Sequence, residues 1–281
     1  MSGYTEGLLA LAALNVILAY ACYFPIMAGQ LNLGAAGFMA VGAYAAAWLG
    51  SSQSAGVLAC LTGAALAAAL AGLVAGVPVL RTRGMYFALA TFSLGNIFPA
   101  LFRNMPALGG SVGLPVMTFV GIWPILACAA GVVLLAIWIS ASRLGLTFAA
   151  IREDEPMAEG MGVNIPRFQA IAFVLGAALA GLGGGLHAQY YNFIAPQNFP
   201  VLSGIFFVLY AIVGGSRHAL GPLLGALLFT LLPEILRSGA EIRYIISAVV
   251  VSVVMILRPE GLMPARVRWR IRPATRPEAA A

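Results

Sequence analysis

The chain has no lysine; all fifteen of its basic residues are arginine. A P-loop needs a lysine after its glycines to reach the nucleotide phosphates. The sequence therefore excludes a Walker A motif, and with it ATP hydrolysis of that kind by this chain. Charge of either sign is scarce: 9% of the 281 residues are charged, against about 25% in soluble domains. Cysteine is scarcer still. Cys22, Cys60 and Cys128 are odd in number, lie in apolar segments and form no CxxC pair, so they read as packing residues rather than disulfides or metal ligands. His187 and His218 stand alone near opposite membrane surfaces, and no HExxH or GxSxG motif occurs. Neither metal chemistry nor an enzyme is expected, and no cofactor bound by this chain. The N-terminus has no lysine or arginine and runs straight into an apolar segment, so no cleavable signal peptide is expected.

What the chain has is apolar length. Hydrophobic residues make up 62% of it, and its mean hydropathy is +0.97. Apolar segments of spanning length fall at about 7–24, 29–50, 55–80, 84–102, 117–140, 167–190, 199–214, 219–236 and 241–257. They are continuous rather than alternating, which excludes a transmembrane β-barrel. The reading is an all-α polytopic membrane protein of about 8–10 transmembrane helices, some broken or short. One membrane domain covers residues 1–264, with a loop at 143–166, and a basic tail follows at 265–281.

Arginine placement orients the bundle. With 81-RTR-83 in the cytoplasm, the 143–167 loop, the 214–221 turn and the C-terminal tail fall on the same side. Twelve arginines are then inside, and only Arg103, Arg237 and Arg243 outside. This asymmetry is the one the positive-inside rule predicts. The C-terminus is placed in the cytoplasm, its tail facing anionic headgroups rather than nucleic acid. Nine full spans put the N-terminus outside; a broken or re-entrant segment near 25–37 would change that.

Two segments look interrupted. One is 24-FPIMAGQLNLGAAGFMAVGAY-44; the other, at 199–225, carries Gly204, Gly214, Gly215, Gly221 and Pro222. Paired Gly/Pro-interrupted segments point to a transport pathway. Neutral polar residues lie at membrane depth in the same regions: Gln30, Asn32, Thr91, Ser93 and Asn96. Each either makes interhelical hydrogen bonds or lines a polar path; Thr91 and Ser93 can also bond back to their own helix. Carboxylates at depth are lacking. The one candidate, Glu234, is read as a surface pair with Arg237. An ion-coupled carrier usually places Asp or Glu in its bundle, so the driving force is expected from outside the chain. The Gly72/Gly76, Gly181/Gly185 and Gly221/Gly225 pairs read as helix packing.

Charge concentrates instead in 150-AIREDEPMAEGMGVN-164, which holds four of the nine acidic residues beside Arg152. Pro156 suits a first helical turn, Asp154 or Glu155 can cap it, and Gly160 or Gly162 can end it. These signals predict a very short helix over 155–161, with Asn164 capping the span that follows. Its apolar Met157, Ala158 and Met161 beside charge mark it as a docking element.

In order and spacing, several stretches resemble one family. They are 29-GQLNLGAAGFMAVGAYAAA-47, 84-GMYFALATFSLGNI-97, 109-GGSVGL-114, 142-SRLGLTFAAIREDEPMAEGMGVN-164, 190-YYNFIAPQNF-199, 213-VGGSRHALGPLLGA-226 and 258-RPEGLMP-264. They are similar to landmarks of the LivM-type permease subunits of branched-chain amino acid ABC importers, over about residues 15–264. The resemblance implies the ABC importer permease fold and an ATPase-coupling loop comprising Arg152, Glu153, Asp154, Glu155, Met157, Ala158, Glu159 and Gly162. It implies a homologous second permease subunit, two cytoplasmic ATPase subunits that use ATP and Mg, and a periplasmic substrate-binding protein, all at the bacterial inner membrane. Related permeases also carry urea, short amides or aromatic acids, so substrate stays open, and a stand-alone secondary carrier is the competing class. Pro156 and Met157 depart from the family pattern, and Asn96 stands where an acidic residue is common.

Overall fold

The computed structural model describes residues 3–52, 56–235 and 261–263. The expected span at 241–257, Arg237, Arg243 and the tail at 265–281 lie outside the described residues. The described chain is almost wholly helical, because backbone groups in hydrocarbon must be satisfied within their own segment. Its helices are α1 (Gly3–Met27), α2 (Ala35–Ser52), α3 (Val57–Val79), α4 (Met85–Arg103), α5 (Ile122–Ala141), α6 (Arg143–Glu153), α7 (Glu155–Gly160), α8 (Ile165–Tyr191), α9 (Val201–Gly215) and α10 (Gly221–Ile235). Six helical stretches are long and apolar enough to cross a membrane, and α2 and α10 are shorter apolar helices.

The chain enters α1 at one face and reaches α6 and α7 at the other. Successive spans alternate, so the start of α1 lies on the face opposite α7. Two short connections tie that opposite face together. β1 (Leu114–Pro115) pairs antiparallel with β2 (Phe193–Ile194), and Gln197 donates to the Ser111 carbonyl at 3.1 Å. Tyr4 at the start of α1 donates to Glu234 at the end of α10. This gives Glu234 a tertiary partner that the pairing with Arg237 did not anticipate. The chain is back at the α7 face by Gly261–Met263. There Leu262 and Met263 donate to the Val213 and Gly214 carbonyls at 2.9 and 3.2 Å.

Packing assigns the spans to layers. α1 and α8 are mostly buried, whereas α3 and α5 present exposed Leu66, Leu70, Leu73, Leu134 and Trp138. α8 is the hub, and its small residues let three neighbours approach to backbone contact. A Cβ on Gly176 would overlap the Ala21 carbonyl of α1, and one on Gly184 the Met39 carbonyl of α2. The two predicted pairs on α3 and α8 line one seam. A Cβ on Gly72 would sit 2.6 Å from the Ala177 methyl, and one on Gly185 2.9 Å from the Ala64 methyl. The Gly221/Gly225 pair plays the same part in the α9–α10 hairpin, against Gly215 and Tyr210.

The first interrupted segment is broken where its glycines and Pro25 predicted. The span expected from residue 29 becomes helical only at Ala35. Residues 28–34 run non-helical from the α7 face toward mid-depth, so α2 is short. The segment does not turn back, however: α2 continues to the opposite face, where Gly50 meets Thr118. The segment is thus broken but not re-entrant.

Candidate functional site

The charged loop of the sequence is two short helices, α6 and α7, rather than an open tether. α6 was not anticipated as a helix. It continues from α5 after a break at Ser142, whose φ of −84° and ψ of 171° are extended. α7 is the predicted short helix, one residue shorter than the expected 155–161. Asp154 is its cap: its side chain accepts from the Met157 N–H at 3.0 Å, and Pro156 occupies the first turn. The far end closes by two backbone bonds, Gly162 N–H to the Glu159 carbonyl at 2.9 Å and Val163 N–H to the Ala158 carbonyl at 3.1 Å. This is the Schellman pattern, which needs a left-handed residue, and Gly162 supplies it with φ of 86°. Asn164 then caps α8, accepting from the Arg167 N–H at 3.3 Å.

Six residues cannot hold a helix by propensity alone. α7 is held instead by its caps and by one buried face. Ala158 is buried among Ile151 of α6 and Ile165 of α8, with Val163 and Phe168 packed around them. Gln169 of α8 donates to the Glu155 carboxylate at 2.8 Å. The opposite side of α7 is open: Met157 is 62% and Met161 75% exposed, and Glu159, Gly160 and Gly162 are exposed as well. α7 thus offers two flexible thioethers rimmed by carboxylate, the adaptable kind of surface that methionine suits.

Arg152 and Glu153 face the other way, toward the α9–α10 turn. Arg152 Nη1 donates to the Ser216 carbonyl at 2.9 Å. Glu153 Oε1 lies 3.9 Å from Arg152 Nη2 and 3.3 Å from Arg217 Nη2. Burial holds the Arg152 pKa below the usual arginine value, and nearby Arg217 pushes it the same way while Glu153 opposes. The guanidinium still carries its charge. Reading the sequence alone missed three contributors here: Arg217, Gln169 and the Gly261–Met263 segment. Two of them lie in or beside stretches that carried the resemblance, 213–226 and 258–264, but spacing did not show which loop they touch.

The five polar residues of the membrane segments separate into two groups. Asn32 and Thr91 come together at the break before α2. Thr91 Oγ1 accepts from the Leu33 N–H at 3.1 Å and donates to the Ala88 carbonyl at 2.9 Å. Asn32 Oδ1 accepts from the Gly34 N–H at 2.9 Å. Both side chains are buried, as is Gln30, whose Oε1 has no hydrogen-bond partner. Ser93 and Asn96 are exposed on the far side of α4 and bond back to the Leu89 and Phe92 carbonyls at 3.0 and 3.4 Å. Tyr86, Leu89 and Ile97 share that exposed face.

Comparison with known proteins adds a family. The model of the family described as branched-chain amino acid transport system, permease component, matches residues 4–258. The chain belongs to this family. It is 31% identical over 274 residues to the high-affinity branched-chain amino acid transport system permease protein LivM of Escherichia coli K12, covering 85% of this chain and 64% of that protein. It is 30% identical over 185 residues to the LivH permease of Salmonella typhimurium, covering 63% of this chain and 58% of that one. The BraD permease of Pseudomonas aeruginosa is 31% identical over 131 residues, 46% of this chain and 42% of that protein. The chain spans less than two thirds of the length of the LivM proteins it matches. No solved structure matches. The family and the apolar helices make the chain a multi-pass membrane protein of the transport-permease class.

Proposed function

We propose that the chain is a permease subunit of an ABC importer for branched-chain amino acids in the bacterial inner membrane. The single observation that carries this reading is α7, a capped six-residue helix anchored by buried Ala158, with Met157 and Met161 exposed. One face of this element anchors it to α6 and α8, and the other, left exposed, fits a cleft in a partner. In this reading α7 seats in one of two cytoplasmic ATPases, which use ATP and Mg while this chain hydrolyses nothing. The α7 face and the C-terminus are cytoplasmic, as arginine placement expects. A periplasmic binding protein delivers substrate to the opposite face.

A second, homologous permease completes the pathway, and likeness to both LivM and LivH relatives supports such a pair. The exposed face of α4 is its side of the path. Ser93 and Asn96 there meet whatever surrounds the chain, whereas the exposed middles of α3 and α5 carry Leu66, Leu70 and Leu134. Asparagine facing hydrocarbon is costly, and facing a water-filled path it is not.

The test is reconstitution with the second permease, the ATPases and the binding protein, scored by ATP-driven leucine uptake. Replacing both Met157 and Met161 by Glu is expected to lose ATPase co-purification. Full retention of ATPase binding and uptake in that variant removes α7 from the role. Leucine uptake by the chain alone, driven only by its gradient, favours the carrier class instead.

A further inference from the structure

α7 leaves the membrane domain by two routes. One runs into α8 through Gln169 and the Ile151–Ala158–Ile165 contact. α8 is locked against α1, α2 and α3 by backbone-to-backbone approach, so it is poorly placed to move alone. The other route runs through Arg152 and Glu153 to the α9–α10 turn.

The C-terminus of α9 shows how strongly it depends on this second route. The last carbonyls of a helix have no partner within it. In α9 they are taken from outside. Leu262 N–H reaches the Val213 carbonyl, Met263 N–H the Gly214 carbonyl and Arg152 Nη1 the Ser216 carbonyl just beyond. A cation at a helix C-terminus also meets the negative end of the helix dipole. Arg152 is the one charged group in this set; its side chain is 20% exposed, against 59% for Glu153 and 48% for Arg217. Tyr20 of α1 holds the other side of the turn by donating to the Ala219 carbonyl at 2.6 Å.

The α6 backbone at Arg152 also lies beside the break in the first interrupted segment. A Cβ on Gly29 would lie 3.6 Å from Arg152 Cα. At the other end of α9, a Cβ on Gly204 would lie 2.6 Å from the Leu33 carbonyl oxygen. Val201 meets Gly95 of α4, where a Cβ would be 2.9 Å from Val201 Cγ2. Residues 28–34 therefore start beside the α6 backbone at Arg152 and end against α9, the helix whose base the Arg152 side chain holds. α4, which carries Ser93 and Asn96, rests on both.

We propose that Arg152, assisted by the Glu153–Arg217 ion pair, is a positioning residue that transmits movement of α7 to α9. Through α9 it moves the broken 28–34 segment and α4. The inference rests on α7 being the coupling helix. α9 and α10 are then the moving hairpin, and α8 with α3 is the frame.

The experiment uses the whole reconstituted complex, with Cys22, Cys60 and Cys128 replaced by Ala. Spin labels are placed at L58C on α3 and L202C on α9, both at exposed positions. The distance between the labels is read with and without ATP–vanadate, together with leucine taken up per ATP hydrolysed. In R152A the ATP-dependent distance change disappears and uptake per ATP falls about ten-fold or more, the size expected for losing a charge-assisted hydrogen bond. R152K, which keeps a charged donor but not the planar guanidinium, is intermediate. E153R puts a third cation beside Arg152 and Arg217 and lowers coupling about two-fold; the swap E153R/R217E restores it. These last two positions are exposed, so the swap reads out even if R152A fails to accumulate. A distance change and a coupling ratio in R152A equal to the unmutated chain overturn the proposal, as does a swap that restores nothing. Failure of the unmutated chain to retain ATPases overturns the coupling reading beneath it, and that outcome is separate from the others.

Discussion

Replacing Asp154 by Ala tests whether α7 is built as its caps indicate. The Asp154 side chain accepts the Met157 N–H at 3.0 Å at the exposed start of a six-residue helix. Losing an N-cap of this kind costs about 1 kcal/mol, and losing a carboxylate at the positive end of the helix adds roughly 0.3–1 kcal/mol. A sum between about 1 and 2 kcal/mol corresponds to a factor of about 5–30 in local opening. α7 has little else to absorb it, since its only buried side chain is Ala158. Hydrogen exchange of the 155–163 amides in nanodiscs should accelerate by that factor in D154A. The Met157 amide leads, while α8 beyond Asn164 keeps its protection. D154N, which retains an acceptor but no charge, should show only the smaller part. If α7 docks on an ATPase as proposed, ATP-coupled uptake falls in D154A in parallel with its opening. Exchange at Met157 equal to that of the unmutated chain refutes the capping argument. A change spread evenly over α6, α7 and α8 refutes the idea that α7 opens by itself.

Two further substitutions probe the bundle. G184V drives a side chain into the Met39 carbonyl of α2, and no rotamer avoids a backbone atom. The variant should fail to elute as a folded species in detergent size-exclusion chromatography, whereas G131A, with nothing within 4 Å of the added methyl, should behave normally. T91V leaves the Leu33 N–H without its acceptor at the break before α2. It should destabilise the chain by about 1–3 kcal/mol, read as a lowered thermal midpoint, and T91S should recover most of the loss.

Much of the α7 helix was legible in the residue order because its determinants are local. An acidic cap, a proline at the first turn and a glycine at the left-handed exit act within a few residues, so Asp154 or Glu155, Pro156 and Gly160 or Gly162 announced α7 by type and spacing, and the structure chose Asp154 and Gly162. The α6 helix was not legible. 143-RLGLTFAAIRE-153 carries charge at both ends and a glycine in its first turn, which reads as loop until Phe148 and Ile151 find a core to bury into. The polar residues of the spans show the same limit. Thr91, Ser93 and Asn96 sit within six positions of one another, and only packing against α2 decides that Thr91 faces inward while the other two face out.

The sequence by itself determined that the chain lives in a membrane, that arginine collects on one side of it, and that a capped helix interrupts the spans on that side. Each of these follows from composition or from contacts a few residues apart. Only the tertiary structure decided that Arg152 grips the base of α9, that α8 is the hub, and that the 28–34 break ends against α4 and α9. Those facts join residues far apart in the chain: Leu33 with Thr91, Arg152 with Ser216, Ala21 with Gly176 and Leu33 with Gly204. Hydrogen bonds and backbone approach over such separations depend on how whole helices pack, which no local pattern encodes.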